Sequence, residues 1–170
     1  MMKKYILKSL NIFFWLLDKV SKRVYIRLYP KYLHFLGIDV DANDVSGTWI
    51  SPTTFFDSSQ YNLIKIGKQV TISFDCVILV HDYSIMHATR AAKKNVSDIV
   101  FKKVEIGNNV FIGARSIILP GTIIGDNCII GSGAVVKGIL EPNYIYAGNP
   151  CKKIGTIENL VDKYVDLLAP

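Results

Sequence analysis

The chain has 170 residues, half of them apolar, so it can bury one substantial hydrophobic core and falls within the usual size of a single domain. Its formal net charge of +6 is uneven, because residues 1–36 carry eight basic side chains against one acid, whereas the remainder carries twelve bases and thirteen acids. A basic N-terminus without zinc ligands, a helix-turn-helix pattern or an aromatic RNA-binding signature argues against a nucleic-acid-binding protein.

Residues 1–36 form the first predicted element, a helical cap. Apolar residues recur there at helical spacing with basic residues between them, which predicts one or two amphipathic helices. The residues with this spacing are Ile6, Leu10, Phe13, Phe14, Leu17, Val24 and Leu28. Polar residues interrupt the apolar stretch and no small-residue cleavage site follows it, so neither a transmembrane helix nor a signal peptide is predicted, and we expect a cytoplasmic protein.

Groups of six residues dominate the rest of the chain. Three of them begin at Ile66, Ile72 and Ile78, and six more read IGNNVF, IGARSI, ILPGTI, IGDNCI, IGSGAV and VKGILE. In these six, the first position is always Ile or Val, and the second is Gly in four. A period of six matches neither an amphipathic helix, with about 3.6 residues per turn, nor a lone strand, which alternates every two.

Six residues supply one short strand and one sharp corner. The first residue of each group then points into a narrow core, the fifth must fit the same interior, and we expect Gly to ease the backbone at the turn. Three groups complete one turn of a triangular solenoid, whose strands pair from turn to turn. The sequence therefore predicts an all-β solenoid, a parallel β-helix of hexapeptide repeats, over residues 37–155.

The repeat is interrupted once and is followed by a helical pattern. It fails at Ser84, and counting back by six from Ile106 makes Val100 the next inward residue, so we predict a loop at about 84–99. Loops of this length in a regular solenoid usually serve function. Helical spacing returns in residues 156–170, which predicts a short C-terminal helix, and both terminal segments are expected to cap the solenoid.

The residues that recur at each position of these groups of six, which we call the columns of the repeat, resemble those of the hexapeptide-repeat acyltransferases, whose parallel β-helix is left-handed. The stretch CVILVHDYSI is similar to the histidine segment of the branch that acetylates bacterial cell-surface sugars, and the six groups followed by YIYAGNPCKKI resemble the family's C-terminal signature. The match covers most of residues 55–155. It implies transfer of an acetyl group from acetyl-CoA to a sugar hydroxyl, without a metal, in the synthesis of capsule, exopolysaccharide or O-antigen.

The resemblance implies that His81 is the general base that accepts the proton of the sugar hydroxyl. A neighbouring carboxylate could hold the imidazole in the required tautomer, and Asp82, Asp75 and Asp57 all remain open for that role. We assign His81 and Asp82 to the catalytic group. His81 and Asp75 share the fourth position of their groups, so both are expected to project outward near one edge.

Other residues are assigned to the acceptor by position. The resemblance implies that Asp57 and Asp75 line the acceptor site. His87 and Arg90 lie in the predicted loop, where they could contact the acceptor or a neighbouring subunit.

The resemblance also implies a groove for CoA between adjacent subunits of a homotrimer. The matching positions are Gly113, Ala114, Gly131, Ser132, Lys137, Gly148, Pro150, Lys152 and Lys153. The assignment of the lysines to CoA is also supported by their charge, because the phosphates of CoA need cationic partners. Backbone N–H groups near Gly113 or Ala114 are expected to hold the oxyanion.

Several alternatives stay open at this stage. An N-acetyltransferase acting on a nucleotide-linked amino sugar would use the same base and groove, whereas a non-catalytic β-helix scaffold would bind no CoA. A zinc enzyme resembling the γ-type carbonic anhydrases needs three histidines, and only His81 and His87 lie in the β-helix segment. The basic helices of residues 1–36 could also contact the inner face of the membrane, where a lipid-linked saccharide acceptor would lie.

Overall fold

The computed structural model describes residues 2–44, 46–94 and 99–168. The helices are α1 (Met2–Val20), α2 (Lys22–Leu36), α3 (Ser84–Ala91) and α4 (Ile157–Leu168), with one turn of 3-10 helix at Tyr61–Leu63. The strands are β1 (Asp39–Val40), β2 (Trp49–Ile50), β3 (Phe55–Phe56), β4 (Ile64–Ile66), β5 (Thr71–Ile72), β6 (Val77–Ile78), β7 (His81–Asp82), β8 (Val100–Phe101), β9 (Val104–Ile106), β10 (Phe111–Ile112), β11 (Ile117–Ile118), β12 (Ile123–Ile124), β13 (Ile129–Ile130), β14 (Val135–Val136), β15 (Ile139–Leu140), β16 (Tyr144–Ala147) and β17 (Lys152–Thr156).

The strands form three faces around a common axis. Face A contains β1, β4, β9, β12 and β15; face B contains β2, β5, β10, β13 and β16, with β17 antiparallel to β16 at its edge; face C contains β3, β6, β11 and β14. Stacked strands are parallel and in register, so that Ile118 of β11 lies between Ile78 of β6 and Val136 of β14. Because successive strands of the chain visit the three faces in turn, the chain winds as a triangular solenoid, and the predicted parallel β-helix is confirmed.

The core follows the columns of the repeat. First-position residues such as Ile72, Ile112 and Ile130 are fully buried. Burial of such a side chain is worth roughly 1.5–3 kcal/mol, so the stacked column stabilises the coil. The fifth position holds smaller side chains, and where it is polar its hydroxyl is satisfied: Ser116 Oγ donates to the Gly113 carbonyl at 2.8 Å.

Glycine is required at the second position for a different reason from the one we expected. A Cβ at Gly113 would lie 2.5 Å from the backbone nitrogen of Ser132 and 2.9 Å from the Ile130 oxygen, so glycine permits the close approach of the next coil. The left-handed backbone of the corner falls at the fourth position instead. Its non-glycine members are Gln69, Asp75, Asn109, Arg115 and Asn127, with φ between 52° and 60°.

A first coil, β1 to β3, precedes the repeats recognised in the sequence. The helices α1 and α2 pack at this end of the solenoid: the Tyr25 hydroxyl donates to the Ile50 carbonyl, and Trp49 Nε1 donates to Asp18 Oδ1 at 3.2 Å. Phe14 joins α1 to α2, with its ring centroid 5.1 Å from that of Tyr29. None of the helices in the described ranges is long and apolar enough to cross a bilayer.

The segment of residues 79–103, which leaves the solenoid between β6 and β9 and which we call the excursion, has its own structure. Its ends pair as the antiparallel strands β7 and β8, with His81 beside Phe101, and helix α3 follows β7. The prediction that Val100 is the next inward residue is wrong, because Val100 pairs with Asp82 in this hairpin, whereas Val80 and Val104 are the buried residues on either side. Residues 95–98 of the predicted loop lie outside the described residues.

Candidate active site

The predicted site residues occupy two different edges of the prism. The turns that connect face C to face A, at residues 57–63, 79–103, 119–122 and 137–138, form what we call the CA edge. The turns that connect face B to face C, at residues 51–54, 73–76, 113–116 and 131–134, form the BC edge. His81 and Asp57 lie on the CA edge and Asp75 on the BC edge, so the expectation that Asp75 and His81 share an edge is wrong.

A hydrogen-bonded pair of His81 and Asp57 is the centre of the CA edge. His81 Nδ1 is bonded to Asp57 Oδ2, across 24 residues of sequence. The pairing follows from register: Phe56 lies beside Ile78 on face C, so Asp57 enters the next turn directly below Val80 and His81. With Nδ1 donating to a carboxylate, Nε2 is the ring nitrogen that can accept a proton.

Asp57 is held by several donors at once. The Val80 N–H donates to Oδ2 at 3.0 Å, and the Ser59 hydroxyl and N–H donate to Oδ1 at 2.6 and 3.0 Å. The residue is only 3% exposed. Burial by itself raises the pKa of this carboxyl group, but the hydrogen bonds from Ser59, Val80 and His81 outweigh burial and lower the pKa from 3.8 to about 2. Asp57 therefore stays ionised beside His81 at neutral pH.

Aromatic residues from the excursion enclose the His81 ring. Tyr83 meets it edge to face with 5.1 Å between ring centroids, and Phe101 lies at 6.1 Å. The His81 side chain remains 28% exposed, so it is shielded on its sides yet open to a ligand. Ser59 Oγ approaches Nδ1 to 3.3 Å.

Asp82, which we assigned to the catalytic group, is bonded elsewhere. Its Oδ1 accepts the backbone N–H of Ser84 at 2.8 Å at the start of α3. Hydrogen bonds from Ser84 lower the pKa of Asp82, and the nearby ammonium of Lys137 acts in the same direction. Lys137 thus lies on the CA edge near the histidine, while His87 and Arg90 are exposed on α3.

The BC edge carries an open groove of about 470 Å³ lined by Phe74, Ala114, Arg115, Ser132 and Gly133. It contains two of the residues predicted to bind CoA. Asp75 is turned away from the histidine here, since its carboxylate lies 3.9 Å from Arg115 Nε and its N–H donates to Thr53 Oγ1 at 2.9 Å.

The C-terminal residues predicted to bind CoA stack above this groove. The Gly148 carbonyl accepts the N–H of Val135 at 3.1 Å, and the Cys151 N–H donates to the Val135 carbonyl at 3.0 Å, so the segment with Gly148 and Pro150 lies over Val135, which directly follows the turn of Gly131 and Ser132. Lys152 is exposed. Lys153 is occupied by its neighbours, because its ammonium pairs with Glu141 and lies 3.5 Å from the centroid of the Tyr144 ring.

Sequence reasoning missed three residues that surround His81. Ser59 and Phe101 carry no motif that marks them, and Tyr83 stands in the histidine segment CVILVHDYSI but was not singled out. Asp57 was one of three candidates, and the spacing of six between Ile50 and Phe56 is the signal that could have placed it one coil below His81. Among the described residues, no group of three or more His, Cys, Asp or Glu side chains is arranged to hold a metal ion.

A three-sided β-helix with a histidine bonded to a buried carboxylate on one edge and a groove of small residues on another is the architecture of a hexapeptide-repeat transferase. The family model for bacterial transferase hexapeptides, six repeats long, matches residues 103–138. Protein CapG of Staphylococcus aureus is 36% identical over 151 residues, which are 85% of this chain and 84% of that protein. The chain therefore belongs to the hexapeptide-repeat acetyltransferases, and the predicted family and left-handed β-helix are confirmed.

Two further relatives extend the comparison. Galactoside O-acetyltransferase of Escherichia coli strain K12 is 30% identical over 128 residues, which are 65% of this chain and only 62% of that protein. A galactoside acetyltransferase solved in complex with coenzyme A superposes with a TM-score of 0.53 at 25% identity and covers 85% of this chain and 87% of that chain.

Proposed function

We propose that the protein transfers the acetyl group of acetyl-CoA to a hydroxyl group of a saccharide, with His81 as the general base. The observation that carries this proposal is the bond between His81 Nδ1 and the buried, ionised Asp57. A base needs its accepting nitrogen free of a proton and aimed outward, and Asp57 fixes that tautomer. The coenzyme A complex of the galactoside acetyltransferase supports CoA as the donor.

The proposed reaction is a direct transfer. His81 Nε2 accepts the proton of the acceptor hydroxyl while the oxygen attacks the carbonyl carbon of the thioester. The new C–O bond forms, the C–S bond breaks, and the imidazolium returns its proton to the departing thiolate. The charge of Asp57 stabilises the imidazolium between these two steps. A base positioned in this way typically contributes about 10² to 10⁴ to the rate.

The oxyanion donor is more restricted than the sequence suggested. The N–H of Gly113 already donates to the Ile130 carbonyl at 2.8 Å, so it is committed to the coil. We therefore assign this role to the N–H of Ala114, which lines the groove of the BC edge. Lys152 is exposed and is the better candidate for a CoA phosphate than Lys153, whose ammonium already pairs with Glu141.

A homotrimer is part of the proposal because the two halves of the site lie on different edges of one chain. The base is on the CA edge, whereas the groove is on the BC edge, and a closed ring of three copies brings the CA edge of one against the BC edge of the next. Large apolar side chains beside the groove support such contacts: Phe55 and Phe74 are 55 and 50% exposed.

The proposed acceptor class rests on similarity to relatives and on the positions of exposed residues on the CA edge. A relative is named for O-acetylation of galactosides, and CVILVHDYSI resembles the branch that modifies cell-surface sugars, which supports a saccharide unit of capsule, exopolysaccharide or O-antigen as acceptor. Asp57 is buried against His81, so the exposed His87 and Arg90 of α3 are the better acceptor contacts on this edge. Such saccharides are often lipid-linked, which favours action in the cytoplasm at the inner face of the membrane.

The test is release of free thiol from acetyl-CoA, measured with a panel of sugars and amino sugars. We expect release that depends on a hydroxyl acceptor and falls by about 10² or more in His81→Ala at unchanged oligomeric state. Turnover only with amino sugars would shift the reaction to N-acetylation. If CoA does not bind in calorimetry, the protein is a scaffold and the proposal fails.

A further inference from the structure

Helix α1 has a second apolar face that none of the described residues covers. One side is used by the cap, since Phe14 packs on Tyr29 and Asp18 accepts the Trp49 indole N–H. The opposite side of a surface helix is normally polar. Here it is formed by Ile12, Phe13, Leu16 and Val20, which are 62, 49, 50 and 83% exposed, and it is bordered by Trp15, which is 46% exposed and lines a cleft with Trp49.

Helix α2 continues this apolar surface and adds positive charge. Val24 and Leu28 are 42 and 40% exposed. The exposed cations of the two helices are Lys19, Lys22, Arg23, Arg27 and Lys31. Within the described ranges, no carboxylate lies at ion-pair distance from any of the five. We call this exposed side of α1 and α2 the cap surface.

We propose that the cap surface binds the anionic face of a lipid bilayer. Exposed apolar side chains on one helix, bordered by a tryptophan and by lysines and arginines that form no ion pair within the described ranges, are the features by which interfacial helices enter the headgroup region. Each basic residue close to an anionic bilayer strengthens binding by about fivefold. Ile12, Trp15 and Leu16 would enter the headgroup region, while Lys19 and Arg27 meet the lipid phosphates.

A second copy of the chain fits this surface less well. Two cap surfaces brought together would place cations against cations, and the described part of α1 and α2 offers one acid, Asp18, which already accepts the Trp49 bond. The orientation of the cap surfaces in a trimer also suits a bilayer. In the homotrimer of the proposed function, on which this inference partly rests, three caps lie at the same end of the assembly and bind the membrane together.

Cosedimentation of the full chain with vesicles tests this surface. The vesicles contain either phosphatidylcholine alone or phosphatidylcholine with a third of phosphatidylglycerol, and neither acetyl-CoA nor a sugar is present. We expect binding to the anionic vesicles that weakens at high salt, because salt screens the cations. Leu16→Glu should weaken binding by at least about tenfold, because a charge replaces a leucine that becomes buried in the headgroup region on binding.

A matched control is Val161→Glu on α4, the helix that follows the last strand, where the valine is 52% exposed. This variant should bind vesicles as the wild type does. A second readout uses Trp49→Phe, which leaves Trp15 as the sole tryptophan. Its fluorescence should shift to the blue on anionic vesicles and be quenched by brominated lipid.

Two results would overturn the proposal. One is no binding of the wild type to anionic vesicles at low salt. The other is equal loss of binding in Leu16→Glu and Val161→Glu. If Leu16→Glu instead changes the oligomeric state, the cap surface is a contact between copies. Acetyl transfer to a soluble sugar without vesicles is measured separately, so failure of membrane binding is distinguishable from failure of the proposed function.

Discussion

Asp57 accepts hydrogen bonds from three residues and is almost completely buried. Val80 and Ser59 donate to it from the backbone, and the Ser59 hydroxyl and His81 Nδ1 complete its shell. A buried charge is stable only with such compensation. Its position makes Asp57 a positioning residue for His81 in the proposed reaction, because it sets both the tautomer and the direction of the ring.

The first prediction at this scale concerns Asp57→Asn. The amide keeps the shape but can no longer balance an imidazolium, so kcat should fall by about 10². The KM for acetyl-CoA should change by less than about threefold, because the donor groove lies on the other edge. Steady-state kinetics measures the fall in kcat, and thermal unfolding of the same variant shows whether the fold is kept. A large loss in Asp82→Asn with little effect in Asp57→Asn would show that Asp82 is the partner.

The elements of the solenoid follow from the sequence wherever the period of six is regular. Strand β15 departs from that period, since its buried Leu140 follows Val136 by four residues, whereas β9 to β14 could be predicted because each places Ile or Val inward every sixth position. The first coil could not, because ten residues separate Val40 from Ile50 and Phe56 replaces the usual Ile. The partner of His81 was left open among three aspartates for a related reason: it depends on the register of Phe56 with Ile78, and the spacing of six from Ile50 to Phe56 that accompanies this register was not recognised.

The excursion shows a second limit of the sequence. Its position was predicted, but the antiparallel pairing of β7 with β8 involves strands of two residues each. Strands this short carry no periodic signal. That pairing brings Phe101 to the His81 ring, so a residue twenty positions away completes the wall of the site.

A test at this scale uses the glycines of the second column. Gly113→Ala places a methyl group 2.5 Å from the Ser132 nitrogen, which belongs to the neighbouring backbone and cannot turn aside. We expect a loss of about 1–3 kcal/mol in the free energy of unfolding, measured with urea. Gly155→Ala is the matched control, since its nearest neighbour would be Ile145 Cδ1 at 3.8 Å. Equal stability of the two variants would contradict the role assigned to close coil packing.

The whole molecule divides the proposed chemistry between two edges. His81 and Asp57 lie where face C turns into face A, and Ala114 and Ser132 lie where face B turns into face C. A single chain therefore presents a base without its donor groove on one edge and a groove without a base on another. Acetyl transfer by this protein therefore requires the CA edge of one copy to meet the BC edge of a neighbouring copy.

Complementation between two inactive variants tests this requirement most directly. His81→Ala removes the base and leaves the groove, whereas Ser132→Trp fills the groove with a bulky exposed side chain and leaves the base. Each variant alone should release thiol from acetyl-CoA at about 10⁻² of the wild-type rate or less. Coexpressed trimers of the two should regain about a quarter of the wild-type rate, because a quarter of the contacts between copies join an intact base to an intact groove. Mixed trimers that stay as inactive as the single variants would contradict a site shared between copies.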